Sequence, residues 1–303
     1  MSALGIDYGG THTKLLLVDD GGAVLARETV PTGTLAELGG AAGRFIDASP
    51  TPVRSFAVTV AGTLDPSNGV VGRSANLPWL NGVAPAELLS EQLAMPGVAV
   101  QDGEAGAIAE ARFGAGRGSG DVFVIVLGTG IAGAHVLKGS VHRGAHGGAG
   151  EIGHVPVADN GVRCSCGQRG CLETAIGGQQ LGLRWSERGA ERQDSNARDV
   201  VEAADAGDEA AVAVLDDAAR ALGRAILNVS AVVDPALIVV GGGVARSPEW
   251  TVEPAVAHAR TEATFHVLPE VKLASLGVWA GARGAAAVAA DVLARAGAAV
   301  NRG

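Results

Sequence analysis

The sequence predicts an α/β protein made of two similar lobes. A phrase of strand, Gly-rich turn, strand, tight turn and strand opens the chain at "LGIDYGGTHTKLLLVDDGGAVLARE". The same phrase returns at "VFVIVLGTGIAGAHVLKGSVHRG", residues 122–144. Other stretches carry the three- and four-residue spacing of helices with one buried face. With 303 residues, 47% hydrophobic and 18% charged, the chain can bury a sizeable core, as two domains or one large α/β unit.

In chain order, the first strand ends near Asp7 and runs into the turn Gly9, Gly10, Thr11. "KLLLV" at 14–18 reads as a second strand, "DDGG" at 19–22 as a hairpin turn and "AVLARE" as a third strand. "GEAGAIAEARFG" at 103–114 reads as a helix, and "GAGRGSG" at 114–120 as a flexible connection. The lobe boundary is expected there. Residues 1–115 with a C-terminal helix at 285–303 would form a small lobe, and 116–284 a large one. In the latter, Leu215, Ala219, Leu222, Ile226 and Val229 mark a half-buried helix, and "ALIVVGGGVA" at 236–245 a buried strand entering a glycine turn. The tail from about Gly284 to Ala298 reads as an Ala-rich helix with Val288 and Val292 one turn apart.

Charge narrows the function. Lys and Arg number 23 against 32 Asp and Glu, a formal net charge of −9. That balance disfavours non-specific binding to nucleic acid or anionic membranes, which takes a basic surface. The longest apolar run, residues 122–137, is broken by glycines and a histidine and is too short to span a bilayer. The opening "MSALGIDYGG" lacks the basic and long apolar regions of a signal peptide. A cytoplasmic, reducing location follows as the expectation, and there clustered cysteines bind metal more readily than they form disulfides.

The two Gly-Thr turns are candidate phosphate loops. Glycines let backbone N–H groups approach phosphate oxygens, and a threonine adds a hydroxyl donor. Gly9, Gly10 and Thr11 in the first copy, with Gly128, Thr129, Gly130 and Gly133 in the second, could clamp a triphosphate between lobes. Asp7 could hold Mg²⁺ through water. The turn around Gly242 is a third candidate nucleotide contact, or simply a strand-end turn. None of the three matches the dinucleotide fingerprint or the Walker pattern. Asp102, after the apolar run "GVAVQ", reads both as a helix N-cap and as a carboxylate able to accept a hydroxyl proton.

All three cysteines fall within "CSCGQRGCLE", residues 164–173. Cys164, Cys166 and Cys171 with His154 would make a closed, structural Cys₃His zinc site, with Gly167 and Gly170 permitting the tight turns. Glu151 and Glu173 bracket these ligands. The remaining histidines show no partner pattern.

"GAGEIGHVPV" followed by "CSCGQRGCLE" resembles the signature of the ROK family of sugar kinases and sugar-responsive repressors, within the actin-like ATPase superfamily. "DYGGTHTK", "LGTGIAG" and "VVGGGV" resemble that family's phosphate and adenosine motifs in the same order, from about residue 4 to about residue 290. The resemblance implies two actin-like (ribonuclease H-like) lobes, each a mixed sheet flanked by helices. It also implies ATP and Mg²⁺ between them, transfer of the γ-phosphoryl to a sugar hydroxyl, and a homodimer or homotetramer. Carried over by position, Asp102 matches the catalytic base and Asn76 a sugar-hydroxyl contact. Glu151, His154 and Glu173 match sugar-ring contacts, with His154 also a zinc ligand. The phosphate loops span Gly5 to His12, with Lys14 in the same motif, and Gly128 to His135.

Three departures bear on the sugar. "QDGE" stands where Asn-Asp-Ala-Asn is usual, so Gln101 replaces a sugar-contacting Asn with a longer amide. "VAGTLDP" at 60–66 replaces the usual Pro-Gly, and "GTGIAGA" carries alanines where two glycines are common. The expected activity is an ATP-dependent hexose kinase acting on the 6-hydroxyl, with glucose the first candidate. Mannose, an N-acetylhexosamine or polyphosphate as donor are the alternatives. A sugar-responsive repressor would carry a helix-turn-helix before the first phosphate loop, and Asp7 lies only six residues after Met1.

Overall fold

The duplicated phrase folds into duplicated sheets. The computed structural model describes residues 2–300 apart from 66, 75–76, 159–160 and 191–193, and of 295–300 the backbone alone. Two compact units are present, Met1–Ala109 with Val278–Gly303, and Glu110–Gly277.

In the first unit, β1 (Ser2–Tyr8), β2 (His12–Asp19) and β3 (Val24–Pro31) form an antiparallel meander. Helix α1 (Leu35–Asp47) then crosses to β4 (Val53–Val60), which lies parallel to β1. Thr34 and Glu37 start α1 with a reciprocal capping box, an arrangement that satisfies two amides the helix itself cannot pair. A small ribbon follows, β5 (Thr63–Leu64) with β6 (Val71–Arg73), then α2 (Pro85–Leu93), β7 (Gly97–Gln101) and α3 (Asp102–Phe113). The five-stranded sheet has the order β3-β2-β1-β4-β7.

The second unit repeats this order of connection. β8 (Asp121–Leu127), β9 (Ile131–Leu137) and β10 (Ser140–His142) form the meander. After them come α4 (Leu172–Ile176), α5 (Gly178–Glu187), α6 (Ala197–Asp205) and α7 (Glu209–Val232). β11 (Leu237–Gly241) lies parallel to β8, and after α8 (Val252–Glu262) β12 (Glu270–Leu273) lies parallel to β11. The sheet order β10-β9-β8-β11-β12 matches the first unit strand for strand. Leu215, Ala219, Leu222, Ile226 and Val229 all face the core along α7.

The last helix, α9 (Ala280–Val300), belongs to the first unit. The alternation of β1 and β2 explains why both sheet faces need cover. Leu4, Ile6, Leu15 and Leu17 meet residues of α1 and α2, whereas Ala3, Leu16 and Val18 meet α9. The packing face of α9 is Ala282, Ala285, Ala286 and Ala289, with Val288 at its margin. Small side chains bring the two backbones close. A Cβ at Gly5 would collide with the Ala282 carbonyl oxygen and lie 2.5 Å from the Ala286 nitrogen.

Candidate functional site

In the first unit the chemistry gathers at the C-terminal ends of β1, β4 and β7. Asp7 and Lys14 are register partners across the β1–β2 pair, so both side chains leave the same face. Lys14 Nζ donates to Asp7 Oδ2 at 3.0 Å, and Thr59 Oγ1 from β4 donates to Oδ1 at 3.0 Å. The same hydroxyl accepts the Tyr8 N–H at 3.1 Å. Asp7 is thus fixed on both oxygens by a cation and a hydroxyl. A Cβ at Gly281 would come within 2.8 Å of its carboxyl carbon, which explains the bare position opposite it. The turn beyond Asp7 is held by β3: Thr32 Oγ1 donates to the Gly9 carbonyl at 2.7 Å, and the Thr32 N–H to the Thr11 carbonyl at 3.0 Å. Gly10 and Thr11 between these ties are exposed.

Gln101 ends β7, paired with Val60 at the end of β4, and Asp102 is the first residue of α3. Its Oδ1 accepts the N–H of Gly103 at 2.8 Å, a bond to the next residue rather than to the second or third amide that an N-cap serves. The residue remains open to solvent, yet surrounding protein desolvates its carboxyl and pushes its pKa above the ordinary 3.8. The Gly103 N–H pulls the other way, and the charge of Asp7 adds to the rise. No cation among the described residues pairs with it. Asn76 lies outside the described residues.

In the second unit the Gly128–Gly130 turn is held by α4 and α5. The N–H of Ile131 donates to Glu173 Oε2 at 3.0 Å, and the N–H of Gly178 to the Gly128 carbonyl at 2.8 Å. Thr129 and Gly130 are exposed. Three glycines here have packing reasons of their own. A Cβ at Gly130 would sit 2.8 Å from Glu173 Oε2, and one at Gly133 would sit 2.7 Å from the Gly150 carbonyl oxygen. Gly242 has φ of 96° and presses against the backbone of Leu127, so only glycine fits it.

The cysteine loop closes on His154. The candidate ligand atoms of His154, Cys164, Cys166 and Cys171 all lie within 4.8 Å of one another. Cys164 Sγ is 3.6 Å from His154 Nδ1, and Cys166 Sγ is 3.7 Å from Cys171 Sγ. A tetrahedron with zinc–sulfur and zinc–nitrogen bonds of ordinary length has S···N edges of about 3.6 Å and S···S edges of about 3.8 Å. The two spacings match those edges. The donor set therefore fits zinc. In the protein alone, burial first and then the neighbouring Cys166 and Cys164 push the Cys171 thiol up to about 12, whereas Cys166, exposed, is drawn down chiefly by the backbone at Gln168. A bound cation would hold the buried thiol deprotonated. With Nδ1 facing Cys164, the other ring nitrogen, Nε2, lies 3.9 Å from Glu151 Oε2.

The ROK family's sequence model matches residues 3–292. The chain belongs to the ROK family. Among its relatives, a glucokinase of Halalkalibacterium halodurans is 30% identical over 93% of this chain and 92% of its own length. A kanosamine kinase of Amycolatopsis mediterranei is 34% identical over 80% of each. Among solved structures, a ROK family glucokinase from Streptomyces griseus in complex with glucose and AMPPNP is similar, with TM-score 0.77 and 28% identity, covering 96% of this chain and all of that one. Membership and these likenesses account for the doubled sheet as the actin-like fold expected from the motifs.

Asp7, Lys14, Gln101 and Asp102 stand in the first unit, and Glu151, His154, Glu173 and the Gly128 turn in the second. Reading the sequence alone passed over Thr59, whose place beside Asp7 depends on the β1–β4 register. No described helix is long and apolar enough to cross a membrane.

Proposed function

We propose that the protein is an ATP-dependent hexose kinase that phosphorylates the 6-hydroxyl of glucose. The observation that carries this reading is Asp102: a carboxyl open to solvent, free of any cation among the described residues, held by one backbone amide and raised in pKa. A carboxylate of raised pKa is a better proton acceptor than an ordinary one. It would accept the sugar hydroxyl proton as that oxygen forms its bond to the γ-phosphorus and the bond to the β–γ bridging oxygen breaks, releasing ADP. Gln101, Glu151, His154 and Glu173, with Asn76, would bind the ring and orient the hydroxyl.

Phosphoryl transfer asks the protein chiefly for positioning and charge neutralisation. The exposed turns at Gly9–Thr11 and Gly128–Gly130 offer backbone N–H groups for the phosphates. Lys14 would neutralise charge beside Asp7, the residue suited to hold Mg²⁺ through water, and that ion would offset charge on the phosphate oxygens. Zinc on His154 and the three cysteines would be structural, since four protein ligands leave no place for a reacting water. An amino sugar is the second reading, favoured by the likeness to the kanosamine kinase.

The test is ATP consumption by purified protein with glucose, mannose, N-acetylglucosamine, N-acetylmannosamine and kanosamine, beside Asp102→Ala. Turnover on glucose that falls by about 10²–10⁴-fold in the variant, with sugar affinity largely kept, is expected. Near-normal turnover in Asp102→Ala refutes the base. Turnover confined to an amino sugar replaces the first reading with the second. Silence on every sugar with ATP, but not with polyphosphate, changes the donor.

A further inference from the structure

The metal loop meets the Gly128–Ile131 turn in two ways, by the close packing of Gly153, next to His154, on the backbone of Ile131, and by one side-chain hydrogen bond from Glu173. Helix α4 is five residues long, too short to hold its own direction. Cys171 directly precedes it, and its first residue is fastened by the Leu172 N–H to the Val155 carbonyl at 3.0 Å. Two residues beyond Cys171, Glu173 reaches the Ile131 N–H with Oε2. Just beyond α4, Gly178, the first residue of α5, donates to the Gly128 carbonyl. The turn is therefore tied to α4, which directly follows the candidate ligand Cys171, and to the first residue of α5. Gly130 lacks a side chain on the side where Glu173 lies.

We propose that Glu173 is a positioning residue that ties the Cys₃His loop to the Gly128–Ile131 turn, so that metal loading fixes the turn before any sugar arrives. The proposal rests on reading that turn as a nucleotide-phosphate loop for its functional consequence, though not for the tie itself. A Glu173 that only touched sugar would leave the turn and the nucleotide unaffected. Committing Oε2 to the turn makes the carboxyl common to both substrates.

The experiment measures amide hydrogen exchange across residues 127–134 with neither sugar nor nucleotide present. It compares zinc-loaded wild type, zinc-loaded Glu173→Ala, zinc-loaded Glu173→Gln and the zinc-stripped wild type. Losing one hydrogen bond of ordinary net strength predicts about tenfold faster exchange in Glu173→Ala, and near wild-type exchange in Glu173→Gln, which keeps an acceptor oxygen. Stripping zinc should speed the same segment. AMPPNP affinity without sugar should fall about tenfold in Glu173→Ala. Unchanged exchange at 127–134 in Glu173→Ala overturns the proposal, as does zinc removal that speeds only residues 161–171. Should zinc removal unfold the whole unit, the loaded Glu173→Ala protein decides alone. A wild type that binds no nucleotide refutes the phosphate-loop reading, while the exchange data still judge the tie.

Discussion

Replacing Glu110 by alanine should destabilise the protein by about 3 kcal/mol, although the residue touches no part of the proposed site. It is 3% exposed, at the start of the second unit, and its carboxyl binds that unit's last turn. Leu276 donates its N–H to Oε1 at 2.8 Å, and Ser275 donates its N–H to both oxygens at 3.0 and 3.1 Å. The Ala115 N–H donates to Oε2 at 3.0 Å. Truncation leaves three amides without a partner, each costing about 1–3 kcal/mol when kept from water. These bonds are only partly buried, so the lower half of that range applies, about 3–6 kcal/mol for the three, and relief from burying a carboxyl trims the sum toward its lower end. Helix propensity acts the other way, since alanine is the better helix former by a few tenths of a kcal/mol. For a unit of this size about 3 kcal/mol corresponds to a fall in Tm of about 6–12 °C by calorimetry. Glu110→Gln keeps one acceptor but turns an NH₂ toward a donor, and should fall between the two. A Glu110→Ala protein that melts with wild type would show that the loop amides find other partners, and would undo the accounting.

The pH dependence has a definite sign. As the proposed base, Asp102 would act only when ionised, so kcat/KM should fall as pH drops through its raised pKa. By ¹³C NMR its carboxyl should titrate above 3.8, and Asp7→Asn should lower that midpoint by removing the neighbouring charge. Cys166→Ser should weaken zinc by more than the roughly 10–100-fold that loss of an outer-shell partner costs, read by competition with a chelator. Because Cys166 is exposed, any fall in Tm there reports the metal rather than lost packing. Gly5→Ala should cost about 1–3 kcal/mol in denaturant unfolding, as overpacking does, because Ala282 and Ala286 meet the new methyl with backbone atoms.

Much of this was legible without coordinates. The repeated phrase at 4–28 and 122–144 gave the doubled sheet, because hairpin turns and alternating strands are written locally. The cysteine loop was legible because spacing and residue type together specify a tetrahedral site. What stayed hidden depends on register and on distant partners. Nothing near Glu110 announces Leu276, 166 residues away. Nothing near Ile131 announces Glu173, 42 residues away. On α9 the valines drew attention, yet the alanines pack, because the sheet face they meet is paved by Ala3 and Ala57 beside the bare Gly5. The glycines at 133 and 242, which read as phosphate contacts, also serve close packing.

The place of α9 has a consequence for how the chain is made. One face of the first sheet, with Ala3, Leu16 and Val18, is covered by a helix that leaves the ribosome only after the entire second unit. During synthesis that face stays wet while residues 110–277 are added. The first unit would thus be the last to finish folding, although it is the first to emerge, and a nascent chain arrested before Ala280 should present an apolar sheet to chaperones.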